Sequence, residues 1–220
     1  MHSHLYFRIM EYVFDFASVL PPVLLAAVVY ALARWLWLKR RGQSRNSWGN
    51  EGVRLLLVCW LVGLLNLVWM PGGFWISLWQ AIRYGWPLEL DVRWFQGSFS
   101  FTVSFPSLVW QALSGGSWQV LGNGMLYLPL GLLLPFVWNR VSWWRVTGLG
   151  LALSLVTELV QPVVGRSFDV DDLIANTLGA LAGYGVFALV RLAAPRAVAR
   201  CRAGGRQNGE QPPGGSSGQD

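Results

Sequence analysis

Side chains able to transfer a proton or bind an anion stand inside or beside long apolar stretches of this sequence. They comprise carboxylates, carboxamides and one guanidinium: Asn123, Glu158, Gln161, Arg166, Asp169, Asp172 and Asn176. A charged group at the centre of an apolar helix costs about 2.5 to 3.5 kcal/mol on insertion scales, so intramembrane ionisable groups are functional by default. These residues are therefore the first candidates for a functional site.

The chemistry of each side chain predicts its role. Carboxylates exchange protons, and a guanidinium binds carboxylate or phosphate groups through paired hydrogen bonds. We assign any catalytic proton transfer to Glu158 and Asp172, and the binding of an anion to Arg166. The remaining members would bind or orient the ligand: Asn123, Gln161, Asp169 and Asn176.

Helix capping is the structural alternative for two of the carboxylates. Asp169 can be the N-cap of the helix that follows it, with Asp172 in the first turn, where the helix dipole favours negative charge. Capping does not account for Glu158 and Gln161, which lie at the end of a different apolar stretch. For the two aspartates, the sequence leaves both interpretations open.

No metal or cofactor site is predicted. The two histidines, His2 and His4, are far along the sequence from the carboxylates, and no Ser-His-Asp arrangement, P-loop or EF-hand loop can be written. Carboxylate oxygens alone could hold a divalent cation, but this is a weak indication. Cys59 and Cys201 provide neither a disulfide framework nor metal-ligand spacing.

The composition is typical of a membrane protein. Apolar residues make up 54% of the 220 residues, charged residues only 13%, and there are 14 tryptophans. Because about 20 apolar residues cross a bilayer as a helix, we predict an all-α bundle of about five transmembrane helices. Their approximate ranges are 16–38, 53–70, 119–138, 144–164 and 172–194. The basic residues form no exposed surface of the kind that binds nucleic acid.

The positions of the basic residues predict the orientation in the membrane. Lys and Arg are concentrated in residues 39–45, 140–145 and 196–206. Short loops rich in these residues stay cytoplasmic. Five crossings with the N-terminus outside and the C-terminus in the cytoplasm place all three groups inside. Residues 203–220 have almost nothing apolar to bury and are predicted to be a disordered tail.

This topology brings the candidate residues to one level of the membrane. The third helix begins outside, the fourth ends outside and the fifth begins outside, so the polar groups lie near their outer ends. At about 100° per residue, Ser154, Glu158 and Gln161 share one face of the fourth helix. On the fifth helix the polar face coincides with small residues that permit close packing: Asp172, Asn176, Gly179 and Gly183.

The long outer loop, residues 71–118, contains a pattern typical of strands. Residues 88–94 and 99–105 each alternate apolar with polar side chains. A two-residue turn at Gln96 and Gly97 would place both apolar sets on one face in register. We therefore predict a β-hairpin on the outer surface of the bundle, with an irregular aromatic loop as the alternative.

Two segments resemble the VanZ-like family of bacterial membrane proteins: GNGMLYLPLGLLLPF at 122–136 and SLVTELVQPVVGRSFDVDDLIANTLGALAGY at 154–184. The second carries, at the family's spacing, Glu158, Gln161, Arg166, Asp169, Asp172, Asn176 and Gly179. The first matches at Asn123, Pro129, Gly131 and Pro135. The resemblance covers about residues 55–190 and implies one VanZ-like domain over residues 1–202, in the bacterial cytoplasmic membrane.

Three classes of function follow from the residues and the resemblance. The leading hypothesis is an outward-facing polar site that recognises or processes a cell-envelope component: a lipid-linked glycan, a peptidoglycan precursor or a lipid headgroup. The family is named after a protein associated with low-level teicoplanin resistance, which links it to antibiotic tolerance. The second is a non-enzymatic scaffold or interaction module. Transport is disfavoured, because the ionisable groups lie at one end and no inverted repeat is visible.

Overall fold

The computed structural model describes residues 19–41, 48–71, 74–88, 94–114, 119–138 and 140–202. The predicted tail at 203–220 lies outside these residues, as does the predicted start of the first helix at residue 16. The described residues form eight α-helices and two short strands. In chain order these are α1 (Leu20–Arg41), α2 (Trp48–Trp69), α3 (Phe74–Tyr84), β1 (Phe99–Ser100), α4 (Phe105–Leu113), α5 (Gln119–Val137), α6 (Trp143–Val160), β2 (Phe168–Asp169), α7 (Val170–Ala193) and α8 (Pro195–Cys201).

Five of these helices, α1, α2, α5, α6 and α7, are long and apolar enough to cross a membrane. The prediction of a mainly helical fold with five helices able to span a membrane is confirmed. The observed bounds lie within a few residues of the predicted ones, and the largest difference is at α2, which begins at Trp48 rather than at residue 53. The orientation of the two termini stays a prediction.

The centre of the bundle is the pair α5 and α7, which run parallel and share the most extensive helix contact. The two backbones touch where glycines stand: a Cβ on Gly179 would clash with the carbonyl of Gly124, and one on Gly183 with the carbonyl of Leu128. Such contact is possible only without side chains, as in small-xxx-small packing. The predicted close approach at these two glycines is confirmed.

The other spanning helices pack around this pair. α6 runs antiparallel to α7, with Gly150 against Ala180. α2 runs antiparallel to α5, and the Trp60 indole donates a hydrogen bond to the Leu126 carbonyl at 2.8 Å. α1 is held to α2 by Arg34, whose guanidinium makes two hydrogen bonds to the Glu51 carboxylate, at 2.8 and 2.9 Å.

The structure does not confirm the predicted hairpin. Of its second arm, Phe99 and Ser100 pair in parallel with Phe168 and Asp169 in a two-stranded sheet, and Phe105 begins helix α4 instead of continuing a strand. Residues 89–93 of the first arm lie outside the described part of the chain. The physical reason lies in α4: Pro106 favours a first helical turn, and the apolar residues that follow it are also spaced for a helix.

A short helix that the sequence did not predict, α8, follows the last spanning helix. Pro195 begins it, and it folds back against the start of α2, burying Val198. Asn50 is fully buried there and donates to the carbonyls of Phe136 at 3.3 Å and Cys201 at 3.0 Å. The start of α2 and the end of α5 therefore meet α8 at the end of the bundle opposite to the predicted site.

Candidate functional site

The candidate residues gather where α6 ends and α7 begins. α6 passes into a single 3-10 turn, Gln161–Val164, which Gly165 closes in a left-handed conformation with φ of 82°. A positive φ favours glycine because it has no Cβ. The backbone N–H of Arg166 then donates to the carbonyl of Gln161 at 2.9 Å, and the chain returns toward α6 as strand β2. This reversal brings the end of one helix beside the start of the next.

Glu158 is the buried centre of the site, with only 1% of its surface exposed. Its Oε1 accepts a hydrogen bond from Nε2 of Gln161 at 3.1 Å, and its Oε2 accepts the backbone N–H of Asp169 at 3.1 Å. Each carboxylate oxygen therefore faces a donor. The structure brings Glu158, Gln161 and Asp169 together, as the sequence predicted.

Asp169 is the N-cap of α7. Its Oδ1 accepts the backbone N–H of Asp171 at 2.9 Å, which satisfies a donor at the first turn of the helix. The capping interpretation of this residue is thereby confirmed. Since the side chain is engaged in the cap, the contribution of Asp169 to the site is the backbone N–H that it donates to Glu158.

Asp172 lies in the first turn of α7 and is half-buried. Its carboxylate lies near the side chain of Asn123, close to the start of α5. Asp172 and Arg166 both lie near enough to Glu158 for their charges to affect it, and Arg166 lies equally within range of Asp172. The structure therefore brings three ionisable groups from separate elements into one neighbourhood.

Arg166 is the exposed cation of the site. Its Nη1 donates to the Leu67 carbonyl at 3.3 Å, in the last turn of α2, where carbonyls lack helical partners. Within the described ranges, no carboxylate lies within 4.0 Å of its guanidinium. Arg166 therefore caps α2 with one nitrogen while the residue as a whole stays exposed.

Asn176 belongs to a separate network one helical turn deeper. Its Nδ2 donates to Oγ of Ser154 at 2.9 Å, whereas its Oδ1 is buried without a donor among the described residues. The Thr157 hydroxyl donates to the Ser154 carbonyl at 2.8 Å, so the Tyr127 hydroxyl, 2.8 Å from Thr157 Oγ1, is the donor of that pair. Sequence reasoning missed Tyr127 and Thr157 as polar partners.

Asp171 is the other residue whose role the sequence did not reveal. It is 3% exposed, and both of its carboxylate oxygens lie 3.0 Å from the backbone nitrogen of Ser104. Ser104 immediately precedes α4, so this contact attaches the segment between α3 and α5 to the start of α7. Its position in the first turn of a helix was the available signal, and that signal does not identify the partner.

The fold and this site define a class of protein: a multi-pass membrane protein with a polar cluster where its last two spanning helices meet. A family model described as VanZ/LLP1 matches residues 53–191, which is more than half of the chain. The chain belongs to the VanZ/LLP1 family, and the resemblance seen in the sequence is confirmed. Comparisons with curated proteins and with solved structures gave no significant match.

Proposed function

We propose that this protein recognises or processes an anionic component of the cell envelope at the polar site, defined by Asn123, Glu158, Gln161, Arg166, Asp169 and Asp172. The observation that carries the proposal is Arg166: it is exposed, no carboxylate of the described residues lies within 4.0 Å of its guanidinium, and a buried and a half-buried carboxylate stand near it. Guanidinium groups bind carboxylate and phosphate through charge-assisted hydrogen bonds. A ligand with one of those groups fits this arrangement.

The different exposure of Asp172 and Glu158 suggests different roles for the two carboxylates. Asp172 is half-buried, so a ligand bound to Arg166 can reach it, and we assign any proton transfer with the ligand to Asp172 first. Glu158 is almost fully buried and fixed by two donors. It acts from behind Asp172 as a fixed negative charge and as the second group for proton transfer. We assign the orientation of Asp172 to the nearby side chain of Asn123.

The basic residues support an outward-facing site. Lys39, Arg40, Arg140 and Arg145 lie at the end of the bundle where α1 and α5 end and α6 begins. The polar site lies at the opposite end, where α6 ends and α7 begins. Since basic residues favour the cytoplasm, the site faces the outside of the cytoplasmic membrane in this proposal. Lipid-linked glycans, peptidoglycan precursors and lipid headgroups are the envelope components found at that face.

Complementation of a deletion strain tests this function. Arg166→Gln removes the cation, whereas Arg83→Gln removes an exposed arginine of α3 that lies outside the polar site. We expect Arg166→Gln to abolish rescue of growth under teicoplanin or another envelope stress, at normal protein levels, and Arg83→Gln to retain it. Full rescue by Arg166→Gln would contradict the proposed function.

The contacts between helices favour the second candidate, a structural module without a ligand. Glu158 joins α6 to the start of α7, Asn176 joins α7 to Ser154 of α6, and Arg166 caps α2. These contacts alone would lock the helices together. On that view, substitutions in the site reduce function only as far as they reduce the melting temperature in detergent. A loss of function at unchanged melting temperature favours the ligand site.

A further inference from the structure

An exposed aromatic surface lies directly against the polar site. We call it the aromatic ridge and define it as Phe95, Phe99 and Phe101, whose side chains are 78%, 56% and 72% exposed. Alternate residues of an extended segment point to the same side. The rings of Phe99 and Phe101 accordingly stack, with centroids 6.3 Å apart and planes at 8°. Phe99 and Phe101 thus form one apolar face rather than two isolated side chains, and Phe95 lies in the same segment of the chain.

The ridge is fixed to the connection that carries Arg166. Phe99 and Phe101 both pack on the buried ring of Phe168, at 5.7 and 5.6 Å, and Phe168 directly precedes Asp169. The N–H groups of Phe95 and Gly97 donate to the carbonyls of Val163 and Pro162, at 3.0 and 3.2 Å.

Gly97 makes this contact possible, because a Cβ there would clash with the carbonyl of Arg166 and with Cα of Pro162. The ridge is therefore fixed beside the backbone of Arg166, the residue that carries the cation of the site.

The backbone of Phe95 shows that its exposure is imposed by the fold. Its φ is 57°, in the left-handed region that residues other than glycine, asparagine and aspartate seldom adopt. The hydrogen bond to Val163 fixes this conformation, and the ring is left 78% exposed. A large apolar side chain held outward in an unfavourable conformation is the kind of local outlier that marks binding surfaces.

We propose that the ligand of the polar site is an amphiphile: a phosphate-bearing lipid whose headgroup binds Arg166 and whose hydrocarbon tail lies along the aromatic ridge. This rests on the proposed function and narrows its ligand to one chemical class. An apolar face near a cation that forms no ion pair with any described carboxylate is complementary to a molecule that joins an anion to a hydrocarbon chain. The five membrane-spanning helices place both features at a bilayer surface, where such molecules are concentrated.

Equilibrium binding to the purified full-length protein in a neutral detergent tests this. The probes are dipalmitoyl phosphatidic acid, dibutyryl phosphatidic acid with the same headgroup on short chains, and inorganic phosphate. We expect the wild-type protein to bind the dipalmitoyl lipid at least about tenfold more tightly than the dibutyryl lipid, because only the longer chains cover the ridge.

Variants separate the two parts of the site. Phe101→Ser removes an exposed ring, and Phe95→Asn introduces a residue that tolerates positive φ, so neither change should prevent folding. Each should weaken dipalmitoyl binding about tenfold and leave dibutyryl binding unchanged. Leu113→Asn, at an equally exposed apolar position at the end of α4, is the matched control and should change neither. Arg166→Gln should weaken the binding of all three probes.

Two results would overturn the inference and leave anion recognition intact, provided that Arg166→Gln still weakens binding. The first is that the wild-type protein binds the two phosphatidic acids with equal affinity. The second is that both phenylalanine variants bind the dipalmitoyl lipid as tightly as the wild-type protein does. If Arg166→Gln changes no affinity, or if the wild-type protein binds none of the probes, the proposed function and the inference fail together.

Discussion

Asp171 contacts Ser104, a residue far from it in the sequence: both carboxylate oxygens of Asp171 lie 3.0 Å from the backbone nitrogen of Ser104. The carboxylate is almost fully buried, and its partner is the residue before α4. This contact, together with the pairing of β1 with β2, joins residues 99–104 to the start of α7.

Loss of this carboxylate should free the segment around α4. We expect Asp171→Ala to reduce the free energy of unfolding by about 1 to 3 kcal/mol, because a half-buried N–H loses its charged acceptor. Hydrogen exchange should rise around residues 99–108 and stay unchanged in α5. Asp171→Asn keeps one acceptor oxygen, so its stability should lie between those of the wild-type protein and Asp171→Ala. Unaltered exchange at Ser104 in Asp171→Ala would contradict the role given to this contact.

The two donors around Glu158 make a second prediction. In Glu158→Gln, the new carboxamide oxygen can still accept the Asp169 N–H, and the Gln161 amide must turn over so that its oxygen accepts from the new side-chain nitrogen. Both hydrogen bonds then lose the charged acceptor that strengthens them. We expect a loss of about 1 to 3 kcal/mol in stability, seen as a lower melting temperature in detergent. The exchange Glu158→Gln with Gln161→Glu rebuilds the side-chain pair in the opposite direction.

That double variant should recover part of the lost stability, which a double-mutant cycle measures as a coupling between the two positions. Gln161→Glu alone supplies the matched single variant, because it places two carboxylates side by side. Strictly additive effects of the two single changes would show that the 3.1 Å contact contributes no coupling to stability.

The parts of this fold that depend on local periodicity could be predicted from the sequence. The five spanning helices follow from apolar length, and the shared face of Glu158 and Gln161 follows from helical phase. The close approach at Gly179 and Gly183 follows from residue size. Each of these inferences uses residues within a few turns of one another, which is the range over which helical geometry determines relative position.

The remaining features depend on partners far apart in the sequence. The alternating residues after Gly97 are compatible with any strand partner, and the partner proved to be Phe168 and Asp169. Similarly, nothing in the pattern around Tyr127 shows that its hydroxyl meets Thr157 on another helix. Periodicity gives the face of an element but not its neighbour, so these pairings required the folded structure.

Close backbone packing gives a third prediction. A Cβ on Gly183 would clash with the carbonyl of Leu128, so Gly183→Ala must separate α5 from α7. We expect a loss of stability of about 1 to 3 kcal/mol, typical of overpacking in a closely packed interior. Gly185→Ala is the matched control on the same helix, since nothing lies within 4 Å of its Cβ position. Melting temperatures in detergent compare the two. Equal temperatures would contradict the packing of α5 against α7.

The orientation of the bundle gives the last prediction. Ser107 is exposed on α4, in the segment attached to the site, whereas Cys201 lies at the end of α8 near the opposite end of the bundle. In a Cys59→Ser background, Ser107→Cys with Cys201→Ser should react with a membrane-impermeant maleimide in intact spheroplasts, because the basic residues at the other end favour the cytoplasm. The native Cys201 should react only after permeabilisation. The reverse labelling would place the polar site in the cytoplasm and exclude ligands confined to the outer face, so the same two variants decide where the ligand of Arg166 must be sought.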